Sequence, residues 1–276
     1  MKNTQQITKA MKQVAAAKIR RAEQLQKQSR PYADALGEML RDLIAAVANV
    51  DHPFMKLGRE GTPSGVILMT ADKGLAGAFN ANLIRTAELR RRENANLRFY
   101  TVGIKGRNSI RRMLGSAEDE ATWGLSSGTK LDVAREVAAA ASRDFIDGKI
   151  SEIVLISPKL ISMMSQRPEM RRIIPVVADE KRDDGDKKPS GSVEFEPSPE
   201  AVLSRLLPKY LEFTIYSAML ETDAAFFAAQ LIAMNNATDN AKKLIDTLTI
   251  QMNNARQAAI TKEILEIVGG AEALAG

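Results

Sequence analysis

Apolar and small residues recur near the start of the chain at alternating steps of four and three: Met11, Ala15, Lys18, Ala22, Leu25, Ser29, Tyr32, Leu36, Met39, Leu43, Ala46 and Val50. Such spacing marks a heptad seam on a long helix, here with weak points at Lys18 and Ser29. Pro31 falls inside the pattern, which resumes at once, so a kink is expected and not an end. A second seam runs through Tyr210, Phe213, Ser217, Leu220, Ala224, Phe227, Leu231, Met234, Thr238, Ala241, Ile245, Leu248, Met252, Ala255 and Ala259. No proline falls between Leu211 and Gly269, and no glycine precedes Gly269 there. Periodicity sustained over ~60 residues lies beyond ordinary globular helices.

At ~1.5 Å per residue the C-terminal helix predicts a rod of roughly 90 Å, against roughly 75 Å for the N-terminal one. Each stripe needs covering, and each is the obvious cover for the other. A middle domain between them makes the pair antiparallel. Ala15, Ala22, Ala224, Ala241, Ala255 and Ala259 would let the two backbones approach closely. Because the lengths differ, the C-terminal helix should outrun its partner. Its end keeps Ile260, Ile264, Leu265, Ile267 and Val268, an apolar surface that calls for a surrounding protein.

The middle has another rhythm. Short β-branched runs at 65–70, 97–102, 150–157 and 172–178 alternate with helical stretches near 79–94, 105–114 and 130–147. Alternation of this kind argues a parallel sheet covered by helices. Residues 179–192 are polar with Gly and Pro and read as a mobile loop. Trp123, the sole tryptophan, is expected to pack on this domain. The expected class is therefore α/β: a long antiparallel coiled coil of the terminal helices (1–58 and 203–276) with a central Rossmann-like parallel-sheet domain (62–200).

Composition narrows the chemistry. With no cysteine, disulfides and thiolate metal sites are excluded. His52, the single histidine, adjoins Pro53 in an expected loop and reads as solvent-exposed, not as a ligand. No run approaches the ~20 apolar residues of a membrane helix, and no apolar stretch with a cleavage site opens the chain. The formal net charge is +5, and the excess is local. Residues 1–30 hold Lys2, Lys9, Lys12, Lys18, Arg20, Arg21, Lys27 and Arg30 against Glu23 alone. That helix either faces solvent or meets an acidic partner.

The best enzymatic candidate is the turn Thr70-Ala71-Asp72-Lys73-Gly74-Leu75-Ala76-Gly77-Ala78-Phe79-Asn80, a strand, a glycine turn with a lysine, then a helix start. Its lysine precedes the glycines, and neither GxxxxGK[ST] nor GxGxxG is present. Turn geometry or protein contact is the better reading. One histidine leaves no Ser-His-Asp set. Asp183 and Asp184 sit in the polar loop with nothing to shift their pKa. A basic coiled-coil arm for nucleic acid remains an alternative, though only 5% of residues are aromatic. A nucleotidase is a third.

Three blocks carry a resemblance. KNTQQITKAMKQVAAAKIRR (2–21), MTADKGLAGAFNANLI (69–84) and AMNNATDNAKKLIDTLTIQMNNARQAAITKEILEIVGG (233–270) resemble the signatures of F-type ATP synthase gamma subunits, and residues 195–221 are similar too. The resemblance implies a non-catalytic central rotor stalk without cofactor or metal. It would couple rotation of an ion-driven c-ring to conformational cycling of the alpha and beta subunits, beside an epsilon subunit, with no nucleic acid. It would sit peripherally on the cytoplasmic face of a bacterial inner membrane. It further implies that Lys9, Lys12, Lys18, Arg20 and Arg21 meet an acidic lever segment of the beta subunits. Arg256 and Gln257 would reach a polar catch loop, and Lys73, Gly74, Leu75 and Ala76 would face the lower ends of the beta subunits. Family members begin about a dozen residues earlier, so Met1 stands at an internal position of the pattern. A Ser-Glu pair and an Arg common to the family are here Ala225, Phe226 and Gln230, and Asn254 replaces a usual basic residue. The cysteine pair of the chloroplast redox switch is missing, so no thiol regulation is expected.

Overall fold

A computed structural model of the chain describes residues 1–46, 52–56, 58–115, 120–126, 128–176 and 198–275. Two helices dominate it: α1 (Lys2–Ala46, 45 residues) and α5 (Pro199–Ala275, 77 residues). At ~1.5 Å per residue these are about 68 Å and 115 Å long. Both continue through an internal proline, Pro31 in α1 and Pro208 in α5. Each proline removes one backbone bond from the ladder, and packing along the rest of the helix carries it across.

The helices pair antiparallel, and four cross-contacts fix the register. The Thr238 hydroxyl donates to that of Thr8 at 2.9 Å, and Lys12 Nζ donates to Asn235 Oδ1. Lys18 Nζ lies 5.3 Å from the centre of the Phe227 ring, and the rings of Tyr32 and Phe213 are 4.5 Å apart. In every pair the two residue numbers add to between 245 and 247. The start of α1 is therefore level with residue 244 or so. Ile245 is the last half-buried residue of α5, and 246–271 are all exposed.

Four positions of the N-terminal seam differ from the expected ones. The covered stripe runs through Lys12, Ala15, Ile19, Ala22, Gln26, Ser29, Ala33, Leu36, Leu40 and Leu43. Ala15, Ala22, Ser29, Leu36 and Leu43 lie on it as the spacing predicts. Lys18, Leu25, Tyr32 and Met39 are exposed, and their C-terminal neighbours take the inner places. Steps of three-then-four and four-then-three both stay on one helix face, and only the side from which the partner approaches decides between them. Val50 lies outside the described residues, as does the polar stretch 179–192 with Asp183 and Asp184.

Between the long helices lies a five-stranded sheet in the order β3-β2-β1-β4-β5. Its elements are β1 (Ser64–Met69), α2 (Phe79–Glu93), β2 (Leu97–Val102), α3 (Ile104–Leu114), β3 (Glu120–Trp123), α4 (Lys130–Ile146), β4 (Ile153–Ser162) and β5 (Ser165–Ile174). The first four strands are parallel, and β5 returns antiparallel on β4 as a hairpin. Two features depart from the alternation read in the sequence. β3 is a short edge strand without a long apolar run, and the last strand begins at Ser165, too polar to resemble a core strand. β1, buried on both faces, reads as a continuous apolar run because helices cover each side. Trp123 is partly buried against the core, as expected.

α5 belongs to both the rod and the domain. Leu203, Leu207, Leu211, Ile215 and Met219 are buried with α4 and one sheet face, while Ala225 and Phe226 are buried with α2 and the other. The rings of Phe226 and Phe79 are 5.7 Å apart. Ala225 and Phe226 face the domain core, which suits their apolar side chains. Ion pairs pin the joint: Lys130 to Asp223 at 2.7 Å and Arg135 to Glu212 at 2.7 Å. Glu221 accepts from the Leu160 amide at 3.0 Å, fixing β4 to the rod; its burial pushes the carboxyl up, opposed by that bond.

Candidate interaction surfaces

The turn after β1 is held from below by its own polar side chains. The Asp72 carboxylate accepts from the amides of Ile104 (3.1 Å), Leu125 (3.0 Å) and Ser126 (2.9 Å). Asn80 accepts from the Ala71 amide at 2.9 Å and donates to the Lys73 carbonyl at 3.1 Å. These bonds close the turn over itself and leave its tip proud. Leu75 stands at φ 62 and is 64% exposed. Lys73 is exposed, Gly74 half-buried, and Ala76 is buried in the core beneath.

The same bonds decide what this crevice can hold. In doubly wound sheets an anion sits at the carboxyl edge, on the free amides of a helix N-terminus. Here the first amides of α3 are already taken: Ile104 by Asp72, Lys105 by the Ala71 carbonyl, and Gly106 by the Thr70 hydroxyl at 2.9 Å. An internal carboxylate stands where a phosphate would bind. Spacing along the chain does not single out Asp72, although an aspartate closing a strand just before a glycine turn is a signal of such self-capping. Asp72→Ala should cost about 2–3 kcal/mol, the range for losing bonds to a charged acceptor. Urea denaturation checks it, and a loss below ~0.5 kcal/mol would contradict the bracing role.

His52 is half-buried, and its Nδ1 accepts from the Phe54 amide at 3.1 Å, starting a short turn at Pro53–Met55. Burial lowers its pKa. The sequence places it in the open; in the fold it serves as a cap. Nearby, burial alone would raise the Asp144 carboxyl, but the Tyr100 hydroxyl at 2.7 Å, Arg98 at 3.0 Å and Lys149 at 3.3 Å hold it below its ordinary value. This network joins β2 to the end of α4, with Lys149 on its exposed side.

The basic residues of α1 divide into two groups. Lys9, Arg20 and Arg21 are exposed, whereas Lys12 and Lys18 turn toward α5 through Asn235 and Phe227. Arg256 and Gln257 are exposed on the uncovered part of α5. At ~1.5 Å per residue they stand about 18–20 Å past the level of the start of α1. Around them Ile250, Met252, Ile260, Ile264, Leu265, Ile267 and Val268 are each 47–71% exposed. Among the described residues no helix is long and apolar enough to cross a membrane.

A self-capped α/β domain carrying a two-helix rod with an exposed apolar end defines the class of a coiled-coil stalk protein. The sequence model of the ATP synthase family matches residues 1–274. The chain is 42% identical over 280 residues to the ATP synthase gamma chain of Heliobacterium modesticaldum, covering 99% of this chain and 95% of that one. It is 41% identical over 279 residues to the gamma chain of Symbiobacterium thermophilum, covering 100% and 95%. The fold is similar to a chain in the central stalk and c-ring of the Tetrahymena thermophila mitochondrial ATP synthase, with TM-score 0.62 at 21% identity, covering 84% of this chain and 99% of that one. It is also similar to a chain of the Euglena gracilis mitochondrial ATP synthase, with TM-score 0.59 at 15% identity, covering 96% and 95%. The chain belongs to the ATP synthase gamma-chain family.

Proposed function

We propose that this chain is the rotating shaft of an F-type ATP synthase, non-catalytic itself, lying against the cytoplasmic face of a bacterial inner membrane through a c-ring. The observation that carries the reading is the exposed stretch 246–271 of α5, apolar along much of its length. Such a surface belongs inside a protein sleeve, and a hexamer of alpha and beta subunits supplies one. The ion pairs at Lys130 and Arg135 tie the rod to the α/β domain, so a twist applied to the domain passes into the helices. An asymmetric shaft binds each state of a catalytic subunit differently at each angle, and that difference is what shifts the populations.

The contacts are those that the family resemblance implies, and exposure supports part of them. Lys9, Arg20 and Arg21 project outward and suit the acidic lever segment of the beta subunits, while Lys12 and Lys18 reach it only by leaving their partners on α5. Lys73, Gly74 and Leu75 form the tip toward the lower ends of the beta subunits, with Ala76 as its support. Arg256 and Gln257 are exposed, as contact with a polar catch loop requires.

Co-purification of the tagged chain tests the whole reading: alpha, beta and epsilon subunits should accompany it, and a chain that isolates alone, retained on DNA, would contradict it. Arg256→Ala should leave the melting of the pure chain unchanged, because the residue is exposed. In the assembled complex it should lower coupled ATP synthesis by about tenfold, the scale of one lost charged hydrogen bond at ~1.4 kcal/mol. Unchanged synthesis would remove the residue from the mechanism.

A further inference from the structure

The outer faces of α2 and α3 carry a strong and unexplained charge. Arg85, Arg91 and Arg92 on α2, with Lys105, Arg107, Arg111 and Arg112 on α3, stand beside Glu88 and Glu93, while Arg90 is paired with Glu152 at 2.8 Å. Between the C-terminal ends of the two helices lies a cleft of about 630 Å³, lined by Glu88, Arg91, Arg92, Ser109, Arg112 and Met113. We propose that this cleft binds a phosphate group.

Three arginines line one open cleft, and two of them are held by backbone carbonyls. Arg91 donates to the Met113 carbonyl at 2.8 Å, and Arg112 Nε donates to the Asn108 carbonyl at 3.1 Å. Each bond uses one donor and orients the rest of the planar fork. Oriented forks match phosphate oxygens two at a time, which ammonium groups do not. Three arginines and one glutamate leave a formal charge of +2 in the lining, which a phosphate dianion neutralises and a single carboxylate does not. Ser109 adds a hydroxyl donor, and the volume lies within the ~300–1,000 Å³ of small-ligand sites.

Part of the basic charge has a plainer use, since cations in the last turn of a helix offset its dipole. That use explains Arg90, Arg91 and Arg92 on α2 singly, and Arg111 and Arg112 on α3, but not the shared cavity. The cleft lies at the amino edge of the sheet, because α2 and α3 run opposite to their strands. The rod leaves from the other edge, where Phe226 meets Phe79 at the start of α2. Phosphate at this pole could come from a soluble ester or from an anionic lipid headgroup. The headgroup source rests on the proposed function; the site itself does not.

The test uses the full chain at physiological salt, which screens diffuse attraction. Inorganic pyrophosphate is titrated calorimetrically, and phosphatidylglycerol vesicles are compared with phosphatidylcholine vesicles by flotation. Saturable binding of pyrophosphate, or retention on phosphatidylglycerol alone, supports the site and names its source. The double variant Arg92→Glu with Arg112→Glu should weaken that binding by at least about tenfold, while Lys2→Glu with Lys9→Glu, on the distant helix, leaves it unchanged. Circular dichroism establishes that both variants are folded, and Arg92→Gln alone gives a milder loss should the double variant unfold. No saturable binding to either probe, equal binding by the arginine variants, or binding of a polyglutamate peptide in place of both phosphate probes overturns the proposal. None of these outcomes bears on co-purification with alpha and beta subunits, so the two readings fail separately.

Discussion

Replacing Leu220 by aspartate is expected to open the helix pair and to destabilise the chain by at least about 3 kcal/mol. Leu220 is 2% exposed, and the register sets it level with Gln26 of α1, one turn from Ala22 and Ala224, both buried. An aspartate there loses the burial of a leucine, about 1.5–3 kcal/mol, and places a carboxylate in a buried apolar position, which adds several more unless it protonates. The shift in melting temperature of the pure chain measures it. Leu265→Asp is the contrasting change: at 66% exposure it should leave melting as it was and prevent assembly with the hexamer. If Leu220→Asp melts like the parent, the seam runs elsewhere.

Gly103→Ala should be comparably severe for a different reason. Gly103 opens α3 at φ +100, and a Cβ there would lie 2.2 Å from the Thr70 carbonyl oxygen, a backbone atom that cannot swing aside. The backbone conformation alone costs about 1–3 kcal/mol for a residue with a side chain, and the overlap adds about 1–3 kcal/mol of overpacking. Together they approach half of the ~5–15 kcal/mol that holds a domain folded. Urea titration should show the midpoint falling with an unchanged slope. A loss below about 1 kcal/mol would mean that β1 and α3 can part without cost, against the close fit that Asp72 and Thr70 enforce.

Much of this architecture is legible because long-range packing leaves a periodic trace. The two rods, their antiparallel pairing and the longer reach of α5 can be read from spacing and length. What spacing leaves open is the side of approach, which is why Ile19 and Leu40 take the places expected for Lys18 and Met39. The burial of Ala225 and Phe226 is equally hidden, since a helix that packs on a coil partner and on a domain shows two overlapping stripes. β5 reads too short in the sequence because Ser165, Gln166, Arg167 and Glu169 give a solvent-facing hairpin no apolar run. At the turn after β1, the glycines are visible and the carboxylate that braces them is not. Asp72 is written into the sequence as one polar residue among several, and only the fold brings Ile104, Leu125 and Ser126 to it.

The central claim is that the terminal helices turn as one body. The chain has no cysteine, so a single engineered pair reports on it cleanly. Thr8→Cys with Thr238→Cys replaces two hydroxyls that lie 2.9 Å apart. In the assembled complex the pair should oxidise readily, and ATP-driven rotation should continue at the parent rate with the disulfide closed. Failure of the bond to form, or arrest of rotation that reductant restores, would show that the helices must move apart during turnover.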